Sequence, residues 1–145
     1  VPGPGDLAIA RDALRTAGIA GLAERSIATL SGGEYQLMLV ARSLAQQSSL
    51  LLLDEPASHL DPAHQQRVTV LLRHLADRGL AVVYTSHDPQ AAAASADTVH
   101  LLRNGRFAFS GTPRRTLTPE SLRAVYGVPF RVAWTRHGPH VSWEE

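Results

Sequence analysis

Two adjacent carboxylates, Asp54 and Glu55, follow the short apolar run Leu50–Leu53. Such a run is typical of a buried parallel strand, and α/β sheets bind ligands at the carboxyl ends of their strands. Because successive strand residues point in opposite directions, the two carboxylates can take separate tasks. Asp54 suits a Mg²⁺ ion that keeps its waters, and Glu55 suits a general base for an attacking water. An acidic turn after a core strand explains the same residues without chemistry.

A second group, Ser31 through Glu34, places a hydroxyl and two glycines directly before the apolar periodicity of a helix. Glycine lets a ligand approach the backbone closely, and the first turn of a helix presents N–H groups and a positive dipole end. These features together suit a terminal phosphate. A flexible turn in which Ser31 caps the helix remains the alternative interpretation.

His87 and Asp61 lie close to the same features in sequence. His87 follows the apolar run over residues 80–85, which predicts that it shares a sheet edge with the two carboxylates. There its imidazole can donate a hydrogen bond to a phosphate oxygen or hold the attacking water, although a loop histidine with only structural partners is commoner. Asp61 precedes Pro62, a pair typical of an N-cap and first helical residue, and a cap is compatible with a functional loop.

The rest of the sequence supplies the elements that position these residues. Cap residues and apolar spacing predict helices over residues 6–17 (with Asp6 as N-cap), 21–25, 34–47, 61–78, 89–96 and 118–127. Apolar runs predict strands over residues 50–53, 80–85, 98–102, 106–110, 130–134 and 141–143. The turns of the last two hairpins are expected at Asn104-Gly105 and Gly138-Pro139. This order predicts an α/β parallel sheet with an antiparallel appendage.

Composition excludes several kinds of site. With 44% hydrophobic and 19% charged residues the chain is of globular type, and the net charge of +1 gives no reason to expect nucleic acid as a partner. Without cysteine, a disulfide framework, a zinc ribbon and a thiol nucleophile are impossible. All 14 Lys and Arg residues are arginine, so the chain cannot supply a lysine that grips phosphate.

The order and spacing of the motifs resemble the ATP-binding cassette of ABC transporters. Leu30–Glu34 resembles the family signature, Leu50–Asp54 resembles Walker B with Glu55 as the catalytic glutamate, Ser58–Asp61 resembles the D-loop, and His87 resembles the switch histidine. The implied fold is the α/β P-loop NTPase type. It has a parallel sheet with flanking helices, a helical signature subdomain and C-terminal antiparallel hairpins.

The tail over residues 111–128 is similar to that of importers of iron–siderophore, haem, cobalamin and related metal chelates. The resemblance divides the chain into a signature-bearing helical subdomain (1–47), the C-terminal part of the ATP-binding core (48–110) and a helix-and-hairpin tail (111–145). It also implies that the chain corresponds to the C-terminal part of a cassette, with the N-terminal half missing.

Family mechanism implies that two cassettes close head to tail around two ATP molecules with Mg²⁺. The signature of each cassette contacts the ATP held by the other; the residues implied here are Ser31, Gly32, Gly33 and Glu34. The implied partners are a second cassette, integral-membrane permease subunits and, indirectly, a substrate-binding protein, with no nucleic acid. The implied location is the cytoplasmic face of the cell membrane.

The resemblance implies that the other functional residues serve ATP held by their own chain. Asp54 would hold Mg²⁺ through water, and Glu55 and His87 would act on the attacking water and the γ-phosphate. Asp61 would lie at the dimer interface. In this family the reaction is ATP hydrolysis coupled to transport through the permease.

Two elements of the family pattern do not occur in these 145 residues: a Gly-x-x-x-x-Gly-Lys loop, and a glutamine of the Q-loop before residue 30. We therefore expect the isolated chain to be inactive as an ATPase and, with unprotected sheet edges, poorly stable. A soluble ABC-type ATPase acting on ribosomes or DNA, and a non-catalytic cassette remnant, remain as alternatives. His137 and His140 suggest a metal site, but two histidines without a third ligand are more typical of a solvated turn.

Overall fold

The computed structural model describes residues 3–136 and 138–144 of the chain. It divides into two compact units, the first ending at Thr85 and the second beginning at Ser86. In the part of the chain that is described, no helix has both the length and the apolar character needed to cross a membrane. The boundaries expected at residues 47 and 110 separate functional segments and not compactly packed units, so this division does not test them, and they stay a prediction.

Helices and one pair of strands build the first unit. Its elements are α1 (Pro4–Thr16), 3-10 turns at Ala20–Leu22 and Ile27–Thr29, α2 (Gly32–Leu44), β1 (Leu50–Leu53), α3 (Pro62–Asp77) and β2 (Ala81–Tyr84). The short helix expected over residues 21–25 is instead a 3-10 turn at Ala20–Leu22, because a segment this short makes too few hydrogen bonds to offset the cost of nucleating an α-helix. The apolar sides of the three helices meet in one core with Leu51 of β1.

Helix α1 begins earlier than its sequence pattern predicts. Gly3 is the N-cap, and Asp6 lies in the first turn, where its Oδ2 accepts a hydrogen bond from Gly3 N at 2.9 Å. The expected N-cap role of Asp6 is therefore wrong. Pro4 favours the earlier start, because its fixed φ and missing N–H suit the first helical position.

Strands β1 and β2 are parallel neighbours, in register from Leu50 opposite Ala81 to Leu53 opposite Tyr84. The predicted bounds of β1 are confirmed, but its expected burial is only half right. Leu51 is buried, whereas Leu50 and Leu52 on the other face are 43% and 66% exposed. The helices of this unit pack against one face of the pair, so a run of four leucines covers both a core face and an open one.

Two hairpins and three short helices make the second unit. Its elements are α4 (Pro89–Ser95), β3 (Val99–Arg103), β4 (Arg106–Gly111), α5 (Pro113–Thr116), α6 (Pro119–Tyr126), β5 (Phe130–Thr135) and β6 (Gly138–Trp143). The predicted turn of the first hairpin is confirmed, with Asn104 and Gly105 both at positive φ (51° and 72°). A separate apolar cluster around Leu117 and Leu122 forms the core of this unit.

The turn expected at Gly138-Pro139 in the terminal hairpin is wrong. Gly138 and Pro139 belong to strand β6, where they pair with Thr135 and Trp134 of β5. Proline is tolerated there because β6 pairs with a single strand. The side chain of Gln90, in α4, also binds this strand: its Nε2 donates to Pro139 O at 3.0 Å, and its Oε1 accepts from Val141 N at 2.7 Å.

Candidate functional site

Asp54 and Glu55 emerge at the carboxyl end of β1, and Thr85 emerges beside them at the end of β2. The Thr85 hydroxyl joins the two: its Oγ1 accepts a hydrogen bond from Glu55 N at 2.9 Å and donates one to Asp54 Oδ1 at 2.5 Å. Thr85 N also donates to Leu53 O at 3.0 Å. One side chain from the neighbouring strand therefore fixes both acidic residues, and sequence reasoning missed it because no local pattern marks a partner 30 residues away.

The segment after Glu55 has a constrained backbone. Glu55 and His59 adopt positive φ values of 45° and 60°, a region that costs a residue with a side chain about 1–3 kcal/mol unless its surroundings hold it. The surroundings here include Ser58, whose Oγ donates to Glu55 Oε2 at 2.6 Å and whose N donates to Glu55 O at 3.1 Å. The Glu55 carboxylate is thus aimed by its own turn.

Ser31 and Glu34 form a reciprocal cap at the start of α2. Ser31 Oγ accepts from Glu34 N at 3.3 Å, and Ser31 N donates to Glu34 Oε2 at 2.8 Å. The backbone hydrogen bond from Ser31 holds the pKa of Glu34 below its usual value, against a smaller opposing effect of desolvation. Arg25 adds an ion pair to the same carboxylate at 3.5 Å. The capping interpretation of this turn is confirmed, and it coexists with exposed Ser31 and Gly32.

The two glycines of the turn are in different environments. A side chain at Gly32 would meet no atom within 4 Å, so this backbone is open to a ligand. A Cβ at Gly33 would lie 2.0 Å from Cδ2 of His64, so the missing side chain there is needed by packing inside the chain. The sequence predicts that both glycines let a ligand approach the backbone, but only Gly32 is open in this way, and Gly33 is required by its packing against His64.

Asp61 caps helix α3 as predicted. Its Oδ1 accepts from Ala63 N and His64 N, each at 3.0 Å, and its Oδ2 lies 2.6 Å from His64 Nδ1. The backbone hydrogen bond from His64 is the main reason that the pKa of Asp61 is lowered, and the imidazole adds a second hydrogen bond. His64 therefore contacts both Asp61 and the signature turn, and sequence reasoning missed it.

His87 is exposed and lies in the second unit, just before α4. Asp88 caps that helix by accepting from Gln90 N at 2.8 Å. His87 is expected to share a sheet edge with Asp54 and Glu55, which lie in the first unit. That expectation stays a prediction. His137, of the histidine pair considered above, lies outside the described residues. Among the residues that are described, no three His, Asp or Glu side chains form a group that could hold a metal.

The geometry offers two kinds of ligand contact within the first unit. The strand ends present acidic oxygens, which Mg²⁺ prefers, beside a carboxylate suited to a general base. The start of α2 presents N–H groups and a hydroxyl suited to phosphate. Asp54 fits a hydrated Mg²⁺ because its carboxylate is exposed and is held in place by the Thr85 hydroxyl.

A family model described as "AAA domain, putative AbiEii toxin, Type IV TA system" matches residues 14–93, more than half of the chain. The hemin import ATP-binding protein HmuV of Bordetella pertussis is 44% identical over 129 residues, covering 83% of this chain and 49% of the relative. The HmuV of Gloeobacter violaceus is 44% identical over 133 residues, covering 87% and 48%. The chain thus spans about half the length of the curated relatives it matches.

A solved structure has the same fold. It is described as "An inward-facing conformation of a putative metal-chelate type ABC transporter", and it matches with a TM-score of 0.89 and 36% identity, covering 99% of this chain and 58% of that chain. The predicted α/β cassette fold is confirmed by this match. The chain belongs to the AAA-domain family that the model describes, and its relatives and this structural neighbour identify it as an ABC ATP-binding cassette, similar to those of importers.

Proposed function

We propose that this chain forms part of an ATPase that drives import of a metal chelate, such as haem, an iron–siderophore or cobalamin, through a membrane permease. The observation that carries the ATPase is the strand-end pair Asp54 and Glu55, held together by the Thr85 hydroxyl. The chelate class is supported by relatives named for hemin import and by a structural neighbour described as a metal-chelate transporter.

In this proposal each strand-end residue has one task. Asp54 would hold Mg²⁺ through water, and the ion would supply positive charge for the phosphates. Glu55 accepts a proton from the attacking water, with its carboxylate aimed by Ser58 at 2.6 Å. His87 donates a hydrogen bond to the γ-phosphate or positions that water.

The start of α2 serves a different nucleotide. Ser31 and the N–H groups that follow it bind the γ-phosphate of ATP held by a second cassette, in a head-to-tail dimer. Gly32 lets that phosphate approach, since nothing lies within 4 Å of the space where its side chain would stand. Asp61 lies at the dimer interface, and Glu34 acts through the cap of α2. The further partners are a permease and, indirectly, a substrate-binding protein, with the ATPase on the cytoplasmic face of the membrane.

In this proposal the 145-residue chain alone hydrolyses no ATP, because it contains no lysine to bind the β- and γ-phosphates. The exposed face of β1, with Leu50 and Leu52, is apolar surface that other parts of a complete cassette would cover. The experiment is therefore done in two forms: the 145-residue chain, and the polypeptide obtained by reading the coding DNA upstream of Val1.

An in-frame Gly-x-x-x-x-Gly-Lys segment upstream should give a polypeptide with Mg²⁺-dependent ATPase activity. Glu55→Gln should lower its kcat by about 10²-fold or more, because a general base contributes on the order of 10²–10⁴. Glu24→Gln is the matched control, the same change on an exposed glutamate outside the site, and should leave kcat unchanged. Steady-state hydrolysis by the 145 residues alone, abolished by Glu55→Gln, would refute their proposed inactivity.

The lack of lysine also favours a second candidate, a cassette remnant that lends its signature to another subunit's ATP. In that case no lysine loop is found upstream, and the 145-residue chain stimulates ATP hydrolysis by a cassette that has its own lysine loop and a disabled signature. Ser31→Ala should remove this stimulation while Glu55→Gln leaves it in place, whereas in the main proposal both changes lower the ATPase activity.

A further inference from the structure

The His64 imidazole lies between the start of α2 and the start of α3. Its ring fills the space where Gly33 of α2 lacks a side chain, and its Nδ1 lies 2.6 Å from Asp61 Oδ2, the N-cap of α3. We propose that His64 is a positioning residue that sets the spacing between the signature turn and the D-loop. This inference deepens the proposed function, because it rests on both segments meeting nucleotide.

The contact with Gly33 is steric and specific to one glycine. An added Cβ would lie 2.0 Å from His64 Cδ2, 2.3 Å from Cγ and 2.7 Å from Nε2, so it would overlap the ring itself. The ring cannot retreat without giving up its hydrogen bond to Asp61. In this proposal the ring, buried on the side that faces Gly33, holds the starts of α2 and α3 at the separation that one imidazole requires.

The contact with Asp61 orients the ring. The Asp61 carboxylate is an acceptor, so Nδ1 is the donor, and the Cδ2–Nε2 edge then faces α2. The charged groups around the ring are Asp61 on α3, Glu34 on α2 and, through its ion pair with Glu34, Arg25. The imidazole contributes to the lowered pKa values of both Glu34 and Asp61, which agrees with its place between them.

A shared ring makes the two segments move together. Ser31 and Gly32 stay exposed at the start of α2 while Gly33 is buried against His64, so the exposed signature atoms are held at a fixed offset from Asp61. Replacing His64 changes no residue of the signature turn or of Ser58–Asp61, but the distance between these two segments is then no longer fixed. The expected kinetic effect is on kcat, which requires both segments in register, more than on KM for ATP.

The first test is a double-variant cycle in the 145-residue chain, and it needs no nucleotide. Gly33→Ala should lower the Tm by about 5 °C, as expected for overpacking a buried contact. Gly32→Ala is the matched control and should change the Tm by far less, because its side chain meets nothing. His64→Ala should lower the Tm of the parent chain but raise the Tm of the Gly33→Ala variant.

That reversal of sign is the decisive result. If Gly33→Ala yields no soluble protein, recovery of soluble yield on adding His64→Ala replaces the Tm as the readout. Equal effects of His64→Ala in both backgrounds, or equal losses for the two alanine variants of the glycines, would overturn the steric link.

The second test separates positioning from mere stability. In the ATPase described above, His64→Ala should lower kcat about tenfold with KM changed by less than about twofold, the tenfold loss equalling about 1.4 kcal/mol. His64→Asn keeps a planar side chain with a donor for Asp61 but lacks the ring, so it should restore part of kcat. An unchanged kcat in His64→Ala, or no rescue by asparagine, would contradict positioning. Failure of the parent protein to hydrolyse ATP would refute the proposed function, while the cycle above would still decide the link.

Discussion

Glu34 and Glu55 make matching contacts with opposite consequences. Each accepts a hydrogen bond from a serine three residues away, Glu34 from Ser31 N at 2.8 Å and Glu55 from Ser58 Oγ at 2.6 Å. The first bond closes a helix cap on ordinary backbone. The second lies in a turn whose first residue has a φ of 45°. The Glu34 carboxylate therefore completes a helix cap, whereas the Glu55 carboxylate belongs to a residue whose backbone conformation is energetically costly.

The donors explain this difference. A backbone N–H at a helix start has no partner inside the helix, so the Glu34 carboxylate satisfies a group that would otherwise need water. The Ser58 hydroxyl can rotate and exchange its partner, so the Glu55 carboxylate is aimed without being permanently occupied. Backbone strain held by surrounding contacts is a property of functional segments, and among these two glutamates it is found at Glu55.

Among the residues that hold the two glutamates in place, Thr85 gives the largest expected effect, in the variant Thr85→Val. Valine keeps the shape but removes the hydroxyl that binds Asp54 and Glu55, so both residues lose their shared anchor. We expect kcat of the ATPase to fall at least tenfold and the chain to lose about 1 kcal/mol of stability, a modest value because the site is exposed. Steady-state kinetics and urea unfolding measure the two.

Thr85→Ser is the matched control, because it keeps the hydroxyl and removes only the methyl group. It should retain most of the activity. If valine and serine at this position behaved alike, the Thr85 hydroxyl would not be the anchor, and the strained Glu55 backbone would need another explanation.

Local patterns predicted the elements well. The bounds of β1 were predicted in full, and the N-cap roles of Ser31 and Asp61 are confirmed, because strand runs and caps depend on residues within a few positions. The same local logic failed at Gly138-Pro139, where pairing with β5 outweighed the turn preference of the two residues. It also placed the N-cap of α1 three residues late, at Asp6 instead of Gly3.

The contacts between residues far apart in the chain could not be predicted from the sequence. Thr85 is 30 residues from Glu55, and His64 is 31 residues from Gly33, so neither contact has a period or a spacing that a single sequence displays. Both depend on how elements pack: Thr85 on the register of β1 with β2, and His64 on the approach of α3 to α2. The chemistry was readable from residue types, whereas the residues that hold it in place were not.

Ser31→Ala and Ser58→Ala test the comparison of the two glutamates directly. Ser31→Ala removes the side-chain half of the α2 cap and should cost about 1 kcal/mol in urea unfolding. Ser58→Ala leaves the backbone bond from Ser58 N to Glu55 O intact, so its stability cost should be smaller. Its expected effect is a lower kcat. If Ser58→Ala cost as much stability as Ser31→Ala, the two serines would have the same structural role.

The smallest expected effect is the pH dependence of stability that arises from Glu34 and Asp61 at the starts of α2 and α3. The pKa of Glu34 and that of Asp61 lie below their ordinary values of 4.5 and 3.8, chiefly because backbone N–H groups of Ser31 and His64 bind the charged forms. A lowered folded pKa means that the unfolded chain binds protons first. The stabilisation is therefore fully present above pH 4.5 and is lost as the pH falls through the lower folded values.

Urea unfolding between about pH 6 and pH 3 should show stability falling with pH only in the acid part of this range. Glu34→Gln and Asp61→Asn should each lower stability at the upper end and flatten the acid slope, because each removes one of the groups that titrate. Both carboxylates are exposed, so the change per group is small and shrinks in high salt. If the free energy of unfolding fell with pH equally steeply in the double variant, these caps would bind the two protonation states equally. The carboxylates at the helix starts would then not stabilise the fold through their charge, and the contrast between Glu34 and Glu55 would lose its support.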